Sequence, residues 1–401
     1  MAKDLEFSTK CLQDPNTSDV TPHVLPIYAS SSFDFRQVDD AVKIFQGKKD
    51  GFVYSRYSNP TVNAVEEKIA RLETHNTGME GRALMTSSGM SAIHTLLLAL
   101  LKPGQCVLTQ GNLYGGTTEL FNTVYQPLQV EVSFINFKDL KSVEAALKKN
   151  DQIRLIYLET PANPTLDCVD IEVITGLAKT YNCYTVIDNT FATPYLQRPL
   201  AMNCDFVIHS TTKYLNGHGS GMAGVIVGKK DDNLWPEIWK TMKLTGTNTN
   251  AFDAWLVNNG IKTLPLRMDR QCENALAVAQ HLDQHSDVIR VNYPGLTSFV
   301  GHDIAKKQMS DFGAMLSFSV RGGQRRALKL IDSLEICKMA PTLGDVDSLV
   351  LHPATSSHIN VSEELRKEYS IDDGLIRLSV GIENKNDLIA DLEKALKISE
   401  K

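Results

Sequence analysis

The chain has 401 residues, more than one hydrophobic core usually serves, so about two domains are expected. Apolar content of 42%, charged content of 22%, a formal charge of −6 and no basic run longer than a pair describe a globular protein and indicate neither nucleic acid nor a membrane surface as partner. Seven scattered cysteines, odd in number and without a CxxC, argue against a disulfide framework or a metal site and read as free thiols of a reducing compartment.

The N-terminal residues, MAKDLEFSTKCLQD, are polar and mixed in charge, unlike a secretory leader. The longest apolar run, Ala92 to Leu101, is too short to span a bilayer, so a cytoplasmic protein is expected. The sequons at Asn16 and Asn360 then read as chance matches. Residues 1–62 contain Pro15, Pro22, Pro26 and Pro60 and no long periodic segment, the pattern of an extended arm. Such an arm must pack on the body or on a second subunit. Within it, YSRYSNPT (Tyr54 to Thr61) reads either as a surface turn or as a phosphate clamp, because Arg56 and Tyr54 can donate to phosphate oxygens.

Thr61 to Leu72 is predicted as a helix capped by Thr61, with Val62, Val65, Ile69 and Leu72 as its apolar stripe. A strand at Ala83 to Met85 runs into Thr86-Ser87-Ser88-Gly89-Met90-Ser91 and then into an apolar helix from Ala92. Small residues at a strand-to-helix turn favour an anion such as phosphate; a plain helix cap is the alternative, and the two are compatible. Strands follow at 106–109, 130–135, 153–158, 185–187 and 206–208, separated by helices at 114–118 onward, 140–147 and 171–181. This alternation predicts a mostly parallel sheet covered on both faces, with ligands at the strands' carboxyl ends. Glu159, Asp188 and Lys213 all fall at those ends. Gly219 to Gly224 matches GxGxxG but precedes a strand, 224–227, which argues against a dinucleotide loop. Beyond it, helices are predicted at 235–244, 251–262 and 267–284, then a smaller sheet that includes 314–320 and 375–380. Arg377, inside the last of these strands, is either an edge residue facing water or a carboxylate receptor facing a cleft.

Lysine forms a Schiff base with an aldehyde. Together with a carboxylate (Asp188), a phosphate-binding turn (Ser88 to Met90), a flat aromatic (Tyr114) and an arginine, it makes up the inventory that pyridoxal 5′-phosphate requires. YSRYSNPT, SSGMSA, LYGGT, ETPANPT, VIDNTFATPY, HSTTKYLNGHGSG, HPATSSH and GLIRLSVGIE together cover nearly the whole chain. In them the sequence resembles the γ-family of pyridoxal-phosphate enzymes of cysteine and methionine metabolism: cystathionine γ-lyase and γ-synthase, methionine γ-lyase and O-acylhomoserine sulfhydrylase. The resemblance implies an aspartate-aminotransferase-like α/β fold. Residues 1–62 would be an arm reaching a neighbouring subunit, 63–262 the cofactor domain and 263–401 a smaller α+β domain, in a dimer at least and typically a tetramer.

It further implies that Lys213 holds the cofactor aldehyde and serves as base, Asp188 partners the ring nitrogen, and Tyr114 stacks on the ring and assists proton transfer. Ser88, Gly89, Met90, Ser210 and Thr212 resemble phosphate ligands, and Tyr54 and Arg56 those that reach the neighbouring subunit's phosphate. Arg377, Asn163 and Thr342 resemble substrate binders. Cystathionine γ-lyases carry charged residues where this chain has Val53, Glu119 and Pro341; methionine γ-lyases carry a cysteine and an aspartate where it has Gly116 and Lys243. The expected reaction is γ-elimination on methionine or related sulfur amino acids, with γ-replacement on an O-acylhomoserine or cystathionine processing as alternatives.

Overall fold

The computed structural model describes residues 5–15, 17, 22–359, 361 and 363–400. The sequons at Asn16 and Asn360 lie outside the described residues. Strands β1 (Gly81–Thr86), β2 (Cys106–Gln110), β3 (Glu131–Ile135), β4 (Ile153–Glu159), β5 (Tyr184–Asp188), β6 (Phe206–Ser210) and β7 (Gly224–Lys229) form one sheet in the order β1-β7-β6-β5-β4-β2-β3. β7 runs antiparallel to both its neighbours; the remaining pairings are parallel. Consecutive strand residues point to opposite faces, so each strand feeds two core layers. Leu84, Val107, Leu155, Val186, Phe206 and Ile226 enter one; Met85, Leu108, Ile156, Ile187, Val207 and Val225 enter the other. A sheet buried on both faces produces the near-continuous apolar runs seen in the sequence.

Helices α1 (Phe7–Leu12), α2 (Val38–Phe45), α3 (Pro60–Glu73), α4 (Gly89–Leu100), α5 (Gly115–Leu120), α6 (Leu140–Lys149), α7 (Ile171–Thr180), α8 (Thr193–Leu196), α9 (Trp235–Thr245) and α10 (Ala251–Ile261) surround this sheet or precede it. α4 and α9 cover one face through Leu96, Leu97, Trp235 and Ile238; α3, α7 and α10 cover the other through Val65, Ile69, Ile174 and Val257. A second sheet, β10-β11-β12-β9-β8, is built from β8 (Val288–Asn292), β9 (Met315–Val320), β10 (Lys338–Met339), β11 (Leu349–Leu351) and β12 (Leu375–Ser379). Its helices are α11 (Leu264–Asp283), α12 (His302–Gln308), α13 (Gly323–Asp332), α14 (Glu363–Glu368) and α15 (Lys385–Ser399). Val278, Leu282, Leu316, Phe318, Leu330, Ile376, Leu378 and Leu392 form its separate core. The fold is thus α/β with two domains, as expected.

Several expectations are corrected. Asn59, not Thr61, caps α3, accepting from the Thr61 N–H; the Thr61 hydroxyl donates to the Pro26 carbonyl and accepts from the Tyr28 N–H, tying the arm down. α4 starts three residues earlier than predicted, at Gly89, because Ser88 serves as its cap. α11 starts at Leu264, with Pro265 in its first turn, where the missing N–H costs nothing. Arg377 is not at an edge: β12 lies between β11 and β9, and the side chain is 4% exposed. The arm divides in two. Phe7 and Cys11 of α1 pack into the core beside α3, whereas Val38 and Phe45 of α2 are exposed.

Candidate active site

One cleft of about 860 Å³ lies where the carboxyl ends of β4, β5 and β6 meet the second sheet. Ser88, Gly89, Met90, Tyr114, Asn163, Asp188, Ser210, Thr212, Lys213, Thr342 and Arg377 all line it, residues more than 280 positions apart that sequence reasoning assigned to one site. Tyr54 and Arg56 do not line it. The Arg56 guanidinium lies over the rings of Tyr54 and Tyr57 (5.7 and 5.1 Å) and donates to the Lys243 carbonyl.

Lys213 follows β6 by three residues, and its N–H donates to the Ser210 carbonyl in a tight turn. The chain then turns at Gly217 (φ +67°), where a Cβ would lie 2.1 Å from the Arg267 guanidinium, so glycine alone fits. The Lys213 amine donates to the Thr342 hydroxyl at 2.9 Å. Burial, with the nearby positive charge of Arg377, lowers its pKa to about 8, so the neutral, nucleophilic form is accessible near neutral pH. Asp188 ends β5. Its Oδ1 accepts from the Thr190 N–H and hydroxyl (3.0 and 2.5 Å), and its Oδ2 from the Tyr157 hydroxyl (3.4 Å). Burial pushes its carboxyl upward, an imbalance that a cationic partner in the cleft would relieve.

At the start of α4, the Ser88 hydroxyl accepts from the Ser91 N–H and the Ser88 carbonyl from that of Ala92. Among the described residues the N–H groups of Gly89 and Met90 have no hydrogen-bond partner, which suits them to an anion. Gly89 packs so closely on β6 that a Cβ would lie 2.7 Å from that of Ser210, which brings the helix terminus and the Ser210 hydroxyl to the same spot. The opposite wall carries Arg377, which donates to Asn163 Oδ1 (3.3 Å) and the Thr342 carbonyl (3.0 Å). Burial, only partly offset by nearby Tyr214, Tyr114 and Glu159, lowers its pKa to about 10, which leaves it cationic at neutral pH.

A family model described as "Cys/Met metabolism PLP-dependent enzyme" matches residues 8–397. The chain belongs to this family. It is 43% identical over 374 residues to an L-methionine gamma-lyase of Fusobacterium nucleatum subsp. polymorphum, covering 93% of each chain. It is 39% identical over 374 residues to an O-succinylhomoserine sulfhydrylase of Pseudomonas aeruginosa, covering 93% of this chain and 91% of that one. Among solved structures, cystathionine gamma-lyase from Lactobacillus plantarum complexed with L-serine superposes with a TM-score of 0.91 at 34% identity, over 99% of this chain and 100% of that one.

The residues present fit the family's cofactor. An amine, a buried carboxylate and the N–H groups of Gly89 and Met90 beside the Ser210 hydroxyl face one cleft, matching an aldehyde, a ring nitrogen and a phosphate, while the hydroxyls of Ser88 and Thr212 donate to the Ser91 hydroxyl and the Ala223 carbonyl. Glu159, expected at the ligand end of its strand but given no chemistry, lines the cleft, as do Thr190 and Phe191, which sequence reasoning did not single out. Thr190 stands two residues after Asp188, a spacing that allows an Asx-type turn and would have revealed it. Among the described residues no helix is long and apolar enough to cross a membrane, and no His/Cys/Asp/Glu group is arranged to hold a metal. All seven cysteines are free and buried.

Proposed function

We propose that the chain catalyses γ-elimination on sulfur amino acids, giving 2-oxobutanoate, ammonia and a thiol from methionine. The observation that carries this reading is the convergence of Lys213, Asp188 and Arg377 on a cleft whose lining also includes Met222, Pro341, Ile359 and Val361, apolar surface suited to a thioether. The methionine gamma-lyase relatives support it.

Bound here, pyridoxal 5′-phosphate supplies an electron sink that makes the substrate's Cα proton removable. Gly89, Met90, Ser88, Ser210 and Thr212 would hold its phosphate, and Asp188 would keep the ring nitrogen protonated. Arg377, Asn163 and Thr342 bind the substrate carboxylate, the guanidinium gripping both oxygens. Lys213 would hold the aldehyde, and its amine would serve as the base for the substrate's Cα proton. Tyr114, 43% exposed in the cleft lining, would stack on the ring and supply the proton for the leaving thiolate. Tyr54 and Arg56, turned away from their own cleft, serve the phosphate of a neighbouring subunit. The arm of residues 1–62 then completes the partner's site, followed by a cofactor domain over 63–262 and a smaller domain over 263–401. The assembly is at least a dimer of paired sites, most simply a homotetramer, in the cytoplasm.

Replacement chemistry on an O-acylhomoserine is the second reading, favoured by the sulfhydrylase relative. Cystathionine processing is third, on the strength of the structural neighbour. Incubation with L-methionine, L-cystathionine, or O-acetylhomoserine plus sulfide, with assay of keto acid, ammonia and thiol, separates the three. Methionine left untouched while O-acetylhomoserine becomes homocysteine would overturn the elimination reading.

A further inference from the structure

Glu159 ends β4 and is paired with Asp188 across the β4–β5 ladder. It is 6% exposed and has no ion-pair partner among the described residues. Burial, and then the negative charge of Asp188, push its pKa upward, and the backbone N–H groups of Tyr114 and Asn163 act against that by favouring the ionised form. A buried carboxylate beside another is expensive, and an apolar residue would end the strand at lower cost. What the carboxylate provides is two acceptors aimed in different directions. Oε2 accepts from the Tyr114 backbone N–H at 2.7 Å, and Oε1 from the Asn163 backbone N–H at 3.2 Å.

These two donors lie on separate segments. Tyr114 is the residue from which α5 starts, and it has no side-chain cap. Its ring is 43% exposed and lies against Gly116, where a Cβ would come 2.6 Å from it; its hydroxyl has no hydrogen bond among the described residues, so the anchored backbone N–H is the polar tie that holds this residue. Asn163 lies in the ETPANPT loop, and its Oδ1 accepts from Arg377. One side chain therefore ties the stacking aromatic to the loop that holds the carboxylate-binding arginine.

We propose that Glu159 is a positioning residue that fixes Tyr114 and the Asn163–Arg377 pair in register, so that ring stacking and substrate-carboxylate binding are set by one group. The inference rests on the reading of the cleft given above. A glutamine in its place has one acceptor oxygen, and its NH₂ would face an N–H, so one of the two anchors must be lost.

The test compares wild-type holoenzyme with Glu159→Gln. The phosphate donors and Lys213 do not hydrogen-bond Glu159, so affinity of the apo-protein for pyridoxal 5′-phosphate, read by absorbance titration, should fall only by the share that Tyr114 stacking supplies, less than about tenfold. Binding of glycine, a carboxylate-bearing amino acid with no leaving group, should weaken about tenfold by spectral titration, the loss expected for one hydrogen bond to a charged group. With methionine, KM should rise and kcat fall together. Asn163→Ala should raise KM alone and be less than additive with Glu159→Gln. A carboxylate that merely stabilises the fold would instead lower the thermal midpoint and cofactor affinity together and leave kcat per bound cofactor unchanged; that result overturns the inference. If Glu159→Gln does not fold, Glu159→Asp, one methylene short of both donors, is read by the same criteria. Wild-type protein that fails to bind the cofactor overturns the reading of the cleft and this inference with it. Wild-type protein that binds cofactor and glycine no better than Glu159→Gln, and turns over no faster, overturns the inference alone.

Discussion

Replacing Arg377 with glutamine removes a guanidinium that is 4% exposed and held by Asn163 and the Thr342 carbonyl. Water cannot screen or replace it there, so its bonds to a substrate carboxylate have their full strength. Two hydrogen bonds to a charged group, at about 1.5–3 kcal/mol each, sum to about 3–6 kcal/mol. At about 1.4 kcal/mol per decade, kcat/KM for L-methionine should fall by about 10²–10⁴. The control is L-methionine methyl ester, whose carbonyl cannot use the fork fully; the variant should lose much less on the ester than on the acid. The same substitution removes a positive charge that lowers the Lys213 pKa, so the pKa of that amine should rise in the variant. Assay of both substrates between pH 6 and about 10 covers both effects. Equal losses on acid and ester, or a loss on the acid below about tenfold, would refute the assignment of Arg377 to the carboxylate.

The lowered Lys213 pKa, about 8 against 10.5, has two consequences for the cofactor-free protein. The fold disfavours the charged amine, so this group's contribution to stability rises as pH goes from about 8 to 10.5 and is lost again below about 8. Capture of pyridoxal 5′-phosphate, followed by stopped-flow absorbance, should level off above about pH 8; a rate still climbing at pH 10 would contradict the buried environment. Glu73 and His209, both fully buried, share a 2.5 Å hydrogen bond beneath the sheet, and Glu73→Ala should cost about 3 kcal/mol, seen as a lower thermal midpoint, with Glu73→Gln costing less. If Arg56 serves a neighbouring subunit, Arg56→Ala and Lys213→Ala proteins refolded together should recover up to about a quarter of wild-type activity, through hybrid dimers with one intact site each. No recovery would place Arg56 in its own chain's service.

The parallel core was legible because each strand is short, apolar on both faces and followed by a polar residue at the ligand end. Glu159, Asp188 and Lys213 could be placed at one edge before any contact was known. The position of β7 was not legible, since its antiparallel insertion between β1 and β6 depends on pairing rather than on its own residues. Arg377 was ambiguous for the same reason: strand neighbours decide whether a charge inside an apolar run faces water or a cleft. Thr61 was expected to cap α3 because its hydroxyl suits the role, and only the arm's path shows that this hydroxyl is engaged by Pro26 and Tyr28, with Asn59 as the cap. The coupling through Glu159 runs through backbone N–H groups, which leave no mark in the side-chain pattern.

Reduction of the holoenzyme with borohydride, followed by proteolysis and mass spectrometry, tests the assignment of Lys213 most directly. The pyridoxyl-phosphate mass should appear on the peptide containing Lys213 and on no other. Lys213→Ala protein should bind the cofactor without covalent attachment and turn methionine over at least about 100-fold more slowly. A label on another lysine, or near-normal turnover by Lys213→Ala, would contradict it.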